Sequence, residues 1–277
     1  MKKLFYLFTI LFAGLFAACD NGQPEGPSNP DQPSDPTTGT FVAKPFSVSA
    51  TKTVTFSLGN LQYHPANNEW RFAPNQTDYI GEANANISSS YNGWIDLFGF
   101  GTGNYPTKAS LDYDDYLTFV DWGVNQIGSY APNIWRTLTY EEWKYIINER
   151  SNADKLKGVA QVNGVNGLIL LPDNWTCPSG VTFKSGFHNY DGRENYVAYQ
   201  TFSASEWSTL ESSGAVFFPA AGSRDGSYVL SVLDLGCYWS ATGYDPDYAL
   251  NLSFDSDEAG MDDFLRNYGL SVRLVQD

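Results

Sequence analysis

Basic residues are scarce in this chain: 16 Lys and Arg stand against 31 Asp and Glu, a formal net charge of −15 over 277 residues. A surface this negative repels phosphate backbones and anionic headgroups, which argues against nucleic acid and against electrostatic adhesion to a membrane. Histidine is scarcer still, with only His64 and His188. A Ser-His-Asp triad therefore has two candidate bases, and both lie in loop-like sequence, His64 before Pro65 and His188 within GFHNYDGRENY. The glycine-rich stretch GFGTGN lacks a following Lys and a helix start, so it reads as a turn and not a phosphate loop. With 31 acids, some carboxylate pair will be close by chance, so acid composition alone does not argue for a glycosidase.

What is present begins with an export signal. Lys2 and Lys3 precede the apolar stretch LFYLFTILFAGLFAA, which is too short and ends too abruptly for a membrane span. It runs into Phe16-Ala17-Ala18-Cys19, and small residues before a lone Cys resemble the lipobox of bacterial lipoproteins. That resemblance implies lipidation at Cys19 and an outer-membrane lipoprotein exposed at the cell surface, tied to the bilayer only through its acyl chains. Residues 20–40 then carry Pro at 24, 27, 30, 33 and 36 among acidic and small polar residues. Such a segment stays extended, with a reach between roughly 25 Å as a coil and roughly 65 Å as polyproline II. The expected organisation is a signal peptide over 1–18, a lipidated Cys and tether over 19–40, and one domain over 41–277. In an oxidising compartment Cys177 and Cys237 have two open readings, a disulfide or two free thiols, since a bridge requires Cα atoms within about 7 Å.

The folded part opens with apolar alternation at Phe46/Val48, Val54/Phe56, Leu61/Tyr63 and Trp70/Phe72, separated by turn residues, which predicts a strand meander. Residues 78–135 are rich in Gly, Asn, Asp and aromatics and read as long loops pinned by Trp94, Phe98, Trp122 and Trp135. Two helices follow. In RTLTYEEWKYIINER, Thr139 and Glu142 form a capping box, Leu138 and Trp143 a staple, and Trp143, Ile146 and Ile147 an apolar stripe. In SASEWSTLESSG, Ser203 and Glu206 form the box, Trp207 and Leu210 face inward, and Gly214 suits the C-terminal cap. Between them Asn163-Gly164 predicts a hairpin turn. AVFFPAAG and GCYWSAT read as buried strands. Leu250, Leu252 and Phe254 alternate with Asn251 and Ser253, and Val272 and Leu274 with Ser271, Arg273 and Val275, so two half-buried strands are expected there. Residues 255–269 show neither period and are expected to be a displayed loop held between them. The fold class is α+β: two main helices around small antiparallel sheets, with long loops.

The order WRTLTYEEW, GLILLPDNW, SASEWSTLESSGAVFFPAAGSR, YWSAT and GLSVRLV resembles a C-type-lectin-like fold of the formylglycine-generating-enzyme type, as found in secreted proteins of gut anaerobes. The resemblance implies a binding scaffold that presents one loop-rich face. Within that group, the segment from YWSAT to the SVR strand resembles the variable region of proteins diversified by retroelements, rewritten mainly at Asn-type codons. The implied ligand-binding residues are Tyr244, Asp245, Asp247, Tyr248, Asp255, Asp257, Asp262, Asp263, Phe264, Leu265, Asn267 and Tyr268. Tyr supplies rigid amphipathic contact area and Asp and Asn supply polar contacts, as in antibody paratopes.

The expected function is therefore that of a surface-displayed adhesin or receptor-like protein whose partner is a protein or glycan outside the cell, with no catalysis, cofactor or metal. The closely spaced cysteine pair of formylglycine generation is missing, and so are the Glu-Pro-Asn, Gln-Pro-Asp and Trp-Asn-Asp triplets of calcium-dependent sugar-binding lectins. Asp255, Asp257, Gly260 and Asp263 fall at EF-hand-like positions, but Ala259 and Arg266 stand where ligands are needed. The alternatives are an enzyme processing glycan or protein at the cell surface, or a subunit of a surface fibre.

Overall fold

A computed structural model of the chain describes residues 42–188 and 199–277. The chain divides at Thr37/Thr38 into two units, and all the described residues belong to the second, Thr38–Asp277. The signal segment, Cys19 and the tether lie outside the described residues, as does most of GFHNYDGRENY. No described helix is long and apolar enough to cross a membrane.

The chain is mixed α and β, with two short α-helices and five small sheets among the described residues. Strands β1 (Phe46–Ser47) and β2 (Thr53–Phe56) form a hairpin closed by Ser49, whose Oγ accepts from the N–H groups of Thr51 and Lys52 at 3.2 and 3.1 Å. Strands β3 (Leu61–His64) and β4 (Glu69–Phe72) form a hairpin that pairs with no other named strand. The expected meander is thus two separate hairpins. The C-terminal segment comes between them: Leu274 O accepts from Ser57 N, Val272 O accepts from Leu61 N, and β14 (Val275–Gln276) pairs with β2.

Residues 78–135 are loops and single-turn 3-10 helices, as their composition implies. Phe98, Trp122 and Trp135 are buried in a shared aromatic cluster with Trp70 and Phe100. Trp94 differs from the other three pins: it is half-buried, with the Arg71 guanidinium 3.7 Å over its ring and His64 edge-on to it.

Both capping boxes form. Thr139 caps α1 (Tyr140–Lys144) and Ser203 caps α2 (Ala204–Ser212), each with its reciprocal Glu contact. Beyond Lys144 the first helix widens into a π turn over Tyr145–Glu149, which keeps Trp143, Ile146 and Ile147 all facing the core. Gly214, at φ +97°, ends α2 in the left-handed conformation that a side chain would strain.

The hairpin of β5 (Lys157–Val162) and β6 (Val165–Leu170) turns at Asn163 and Gly164, both at positive φ, as a type I′ turn requires. β8 (Val216–Pro219) adds antiparallel to β6, and β7 (Thr201–Phe202) adds parallel to β5, the exception among otherwise antiparallel pairs of named strands. Val159, Leu168, Leu170, Val216 and Phe218 point towards α1, whereas Ala160, Val162, Ile169 and Phe217 point towards Trp207 and Leu210 of α2. The sheet is therefore covered on both faces. Each large apolar side chain removed from water in this way contributes about 1.5–3 kcal/mol.

A short hairpin of β9 (Ser223–Asp225) and β10 (Tyr228–Leu230) precedes the last sheet. That sheet consists of β11 (Gly236–Gly243), β12 (Tyr248–Phe254) and β13 (Ala259–Leu265), in that order. It separates two clusters: Tyr238, Leu252 and Phe254 belong to one, and Cys237, Trp239 and Ala249 to the other. Hence the expected alternation of β12 holds over Leu252, Ser253 and Phe254 but breaks at Leu250, which is half-buried, and at Asn251, which is as buried as Leu252. Residues 271–275 are likewise buried throughout. Arg273 is sealed under Phe218 and donates to the carbonyls of Ser57, Leu58 and Phe217.

Candidate ligand face around Arg266

The stretch 255–269 is not the free loop expected from its sequence. Ala259–Leu265 is an edge strand in unbroken register with β12, from Phe254↔Ala259 to Tyr248↔Leu265. Two flanking bonds fix the phase of the ladder, Arg266 N to Asp247 O and Asp255 N to Glu258 O. An antiparallel ladder alternates, so the backbone N–H groups of Gly260, Asp262 and Phe264 point to β12 and those of Met261, Asp263 and Leu265 point outward. The outward Asp263 N–H is taken by Asp262 Oδ1 at 2.9 Å. Acids on an edge also discourage indiscriminate strand pairing.

The expected site residues fall into three groups. Tyr244, Asp245, Asp247, Asp262 and Asp263 are exposed, Tyr244 at 66%. Tyr248, Asp255, Asp257, Phe264, Leu265 and Tyr268 are half-buried. Phe264 and Tyr268 contact each other at 5.0 Å and pack on the aromatic cluster, so part of each ring is structural. Asn267 is 5% exposed and does not present its side chain. Several of the carboxylates build turns. Asp245 Oδ1 accepts from Asp247 N and Tyr248 N at 2.9 and 2.7 Å, and Asp255 Oδ1 accepts from Asp257 N and Glu258 N at 2.7 and 3.1 Å. Asp255 thus caps the β12–β13 turn. Among the described residues no group of three or more His, Cys, Asp or Glu is arranged to hold a metal.

Sequence reasoning assigned no role here to Arg266, which organises the region. The residue is 7% exposed, and its guanidinium lies over Phe100 at 4.9 Å. It donates to Asp245 O at 2.7 Å, to Tyr248 O at 3.1 Å and to Tyr116 O at 3.1 Å. Gly243 lets it approach, since a Cβ there would lie 2.4 Å from the guanidinium. Burial pulls the Arg266 pKa below its ordinary value, opposed by Asp245 and Asp247. Burial also raises Asp263, with Asp262 and Asp245 adding like-charge repulsion.

Through these contacts two further segments join the C-terminal one. The 3-10 turn Tyr113–Tyr116 is tied by Arg266 and capped by Asp112. The β9–β10 tip lies beside it: Gly226 is next to Leu111, and Asp225 sits near Tyr268, whose phenol is raised first by burial and then by that carboxylate. Leu111 is 67% exposed and Tyr228 73%. The signals that could have found them are the acid–tyrosine run DYDDY and the turn-plus-aromatic RDGSY. Between the start of α1, the Tyr244 turn and the β12–β13 pair, a shallow cavity of about 200 Å³ is lined by Tyr140, Tyr244, Leu250, Met261, Asp262 and Asp263.

Among the described residues, Cys177 and Cys237 are both free, Cys177 exposed and Cys237 fully buried with its thiol pushed up to about 12 by burial. His64 Nδ1 accepts from Asn67 N at 3.3 Å, which caps the Pro65–Asn67 turn. Compared with family models, with curated proteins and with solved structures, the chain matches none of them.

Proposed function

We propose that the protein is a surface-displayed binding protein with a C-type-lectin-like fold, lipid-anchored at Cys19. Its ligand face combines the Tyr244–Asp247 turn, the acids of β13, the Tyr113–Tyr116 turn and the β9–β10 tip. The observation that supports this best is the contrast around Arg266. The buried arginine ties the segments together through backbone carbonyls, which leaves side chains such as Tyr244 and Asp247 free at the surface. Large apolar and aromatic groups held outward on a fixed frame are how a paratope gains contact area at low entropy cost. The ligand is a protein or glycan outside the cell, and a retroelement acting on the 238–275 segment would vary the exposed positions while sparing the frame.

The test is to probe arrays of extracellular proteins and of glycans with the full chain and with its Tyr228→Ala/Tyr244→Ala/Asp247→Ala variant. Array partners bound by the natural chain and lost by an equally stable variant are expected. Identical profiles for the two chains would refute the assignment of the face.

A further inference from the structure

A second cavity shares no residue with that face. It is a cleft of about 670 Å³ bordered by β1, the turn after α1 and the loop from Asp173 to Cys177. Its volume lies in the range of small-molecule sites. We propose that it takes an acidic sugar, a hexose-sized ring carrying a carboxylate.

Charge gives the first argument. The cleft is lined by two cations, Arg150 and Lys155, and one carboxylate, Asp173, in a chain whose net charge is −15. Asp173 is already neutralised: Arg150 donates to its Oδ1 at 3.2 Å, and Ser47 donates to its Oδ2 from both backbone N and side-chain Oγ. Arg150 is fixed from below, with Nε on Ile146 O at 2.9 Å and its guanidinium 5.3 Å from the Phe46 ring. Lys155 is the cation left over. It is exposed at the rim and forms no ion pair among the described residues, while the neighbouring Asp154 pairs with Lys157 at 3.1 Å. An anionic group is therefore favoured at Lys155.

The remaining lining suits a sugar ring better than a lipid or a bare ion. Trp175 is half-buried and held in place, its Nε1 donating to Ser213 Oγ at 2.8 Å and its ring edge-on to Phe183 at 5.8 Å. Its pinned face offers a platform for ring C–H groups. Tyr145 and the exposed amides of Asn152 and Asn174 offer donors and acceptors for hydroxyls.

Cys177 gives the test its readout, because it lines the cleft as an exposed thiol, whereas Cys237 is buried. The full chain carrying Cys19→Ser, with Cys177 its only accessible thiol, is treated with a thiol-reactive disulfide reagent in the presence of glucuronate, glucose or inorganic phosphate at equal ionic strength. Saturating glucuronate is expected to slow labelling about fivefold or more, as mass action gives for an occupied site. Glucose and phosphate are expected to leave the rate nearly unchanged. Lys155→Ala is expected to weaken the glucuronate effect about tenfold, the loss of one charged hydrogen bond, at an unchanged melting temperature. The proposal is overturned if glucuronate gives no protection, if glucose or phosphate protects equally well, or if Lys155→Ala retains full protection.

Discussion

Arg266 donates to the backbone carbonyl of Tyr116, 150 residues earlier in the chain, at 3.1 Å. The same guanidinium donates to Asp245 O at 2.7 Å, so one side chain joins the 113–116 turn, the β11–β12 turn and the end of β13. Its hydrogen-bond partners are all carbonyls, and these would be left under-satisfied if it were removed. Arg266→Ala should cost about 2–4 kcal/mol, the penalty for orphaned buried acceptors together with lost packing on Phe100. Arg266→Lys should recover only part of that loss, since an ammonium cannot span the fork. Denaturant unfolding of the two variants checks both values; a cost for Arg266→Ala within the range of ordinary surface substitutions, about 0.5 kcal/mol or less, would show that the clamp is idle.

The phase of β13 predicts opposite outcomes for two adjacent prolines. Asp262→Pro removes an N–H that points to β12 and should cost about 3 kcal/mol, whereas Asp263→Pro removes an N–H that points outward and should cost far less. Thermal melts of the pair decide this. Equal losses would mean that the strand is not paired as described.

Asp96 is wholly buried, and desolvation pushes its pKa from 3.8 up to about 6, against hydrogen bonds from Asn84 Nδ2 and Ile80 N. The native state therefore holds this proton at pH values where the unfolded chain has released it. The stabilising contribution is complete below 3.8, falls as pH rises, and is lost by passage through about 6. A carboxyl NMR titration should place the Asp96 midpoint near 6, and Asp96→Asn should flatten stability over that window. A midpoint close to 3.8 would contradict the burial argument.

Local chemistry was legible in the sequence where a signal is completed within a few residues. The capping boxes at Thr139 and Ser203, and the Asn163-Gly164 turn, formed as their spacing required. The class α+β followed from those elements. What remained hidden depends on distant partners. β13 contains Gly260 and two consecutive acids, a poor strand composition, and becomes a strand because β12 offers it a complete ladder. Arg273 and Asn251 looked like solvent-side residues of half-buried strands, yet both are buried because a second layer covers that side. The exposed surface around Arg266 was half legible. Tyr244 and Asp247 are displayed, but Asn267 is sealed, and Leu111 and Tyr228 join through Arg266 and Asp225 from segments more than a hundred or a few tens of residues away, which no local pattern encodes.

The central claim is that a rigid frame carries a replaceable surface. The direct measurement is protease resistance across two displayed libraries of the full chain, one randomised at Leu111, Tyr228, Tyr244 and Asp247, the other at Arg266, Asn267 and Tyr268. Most members of the first library should resist cleavage like the natural chain, and few of the second should. Equal tolerance in both libraries, or collapse of the first, would contradict the account.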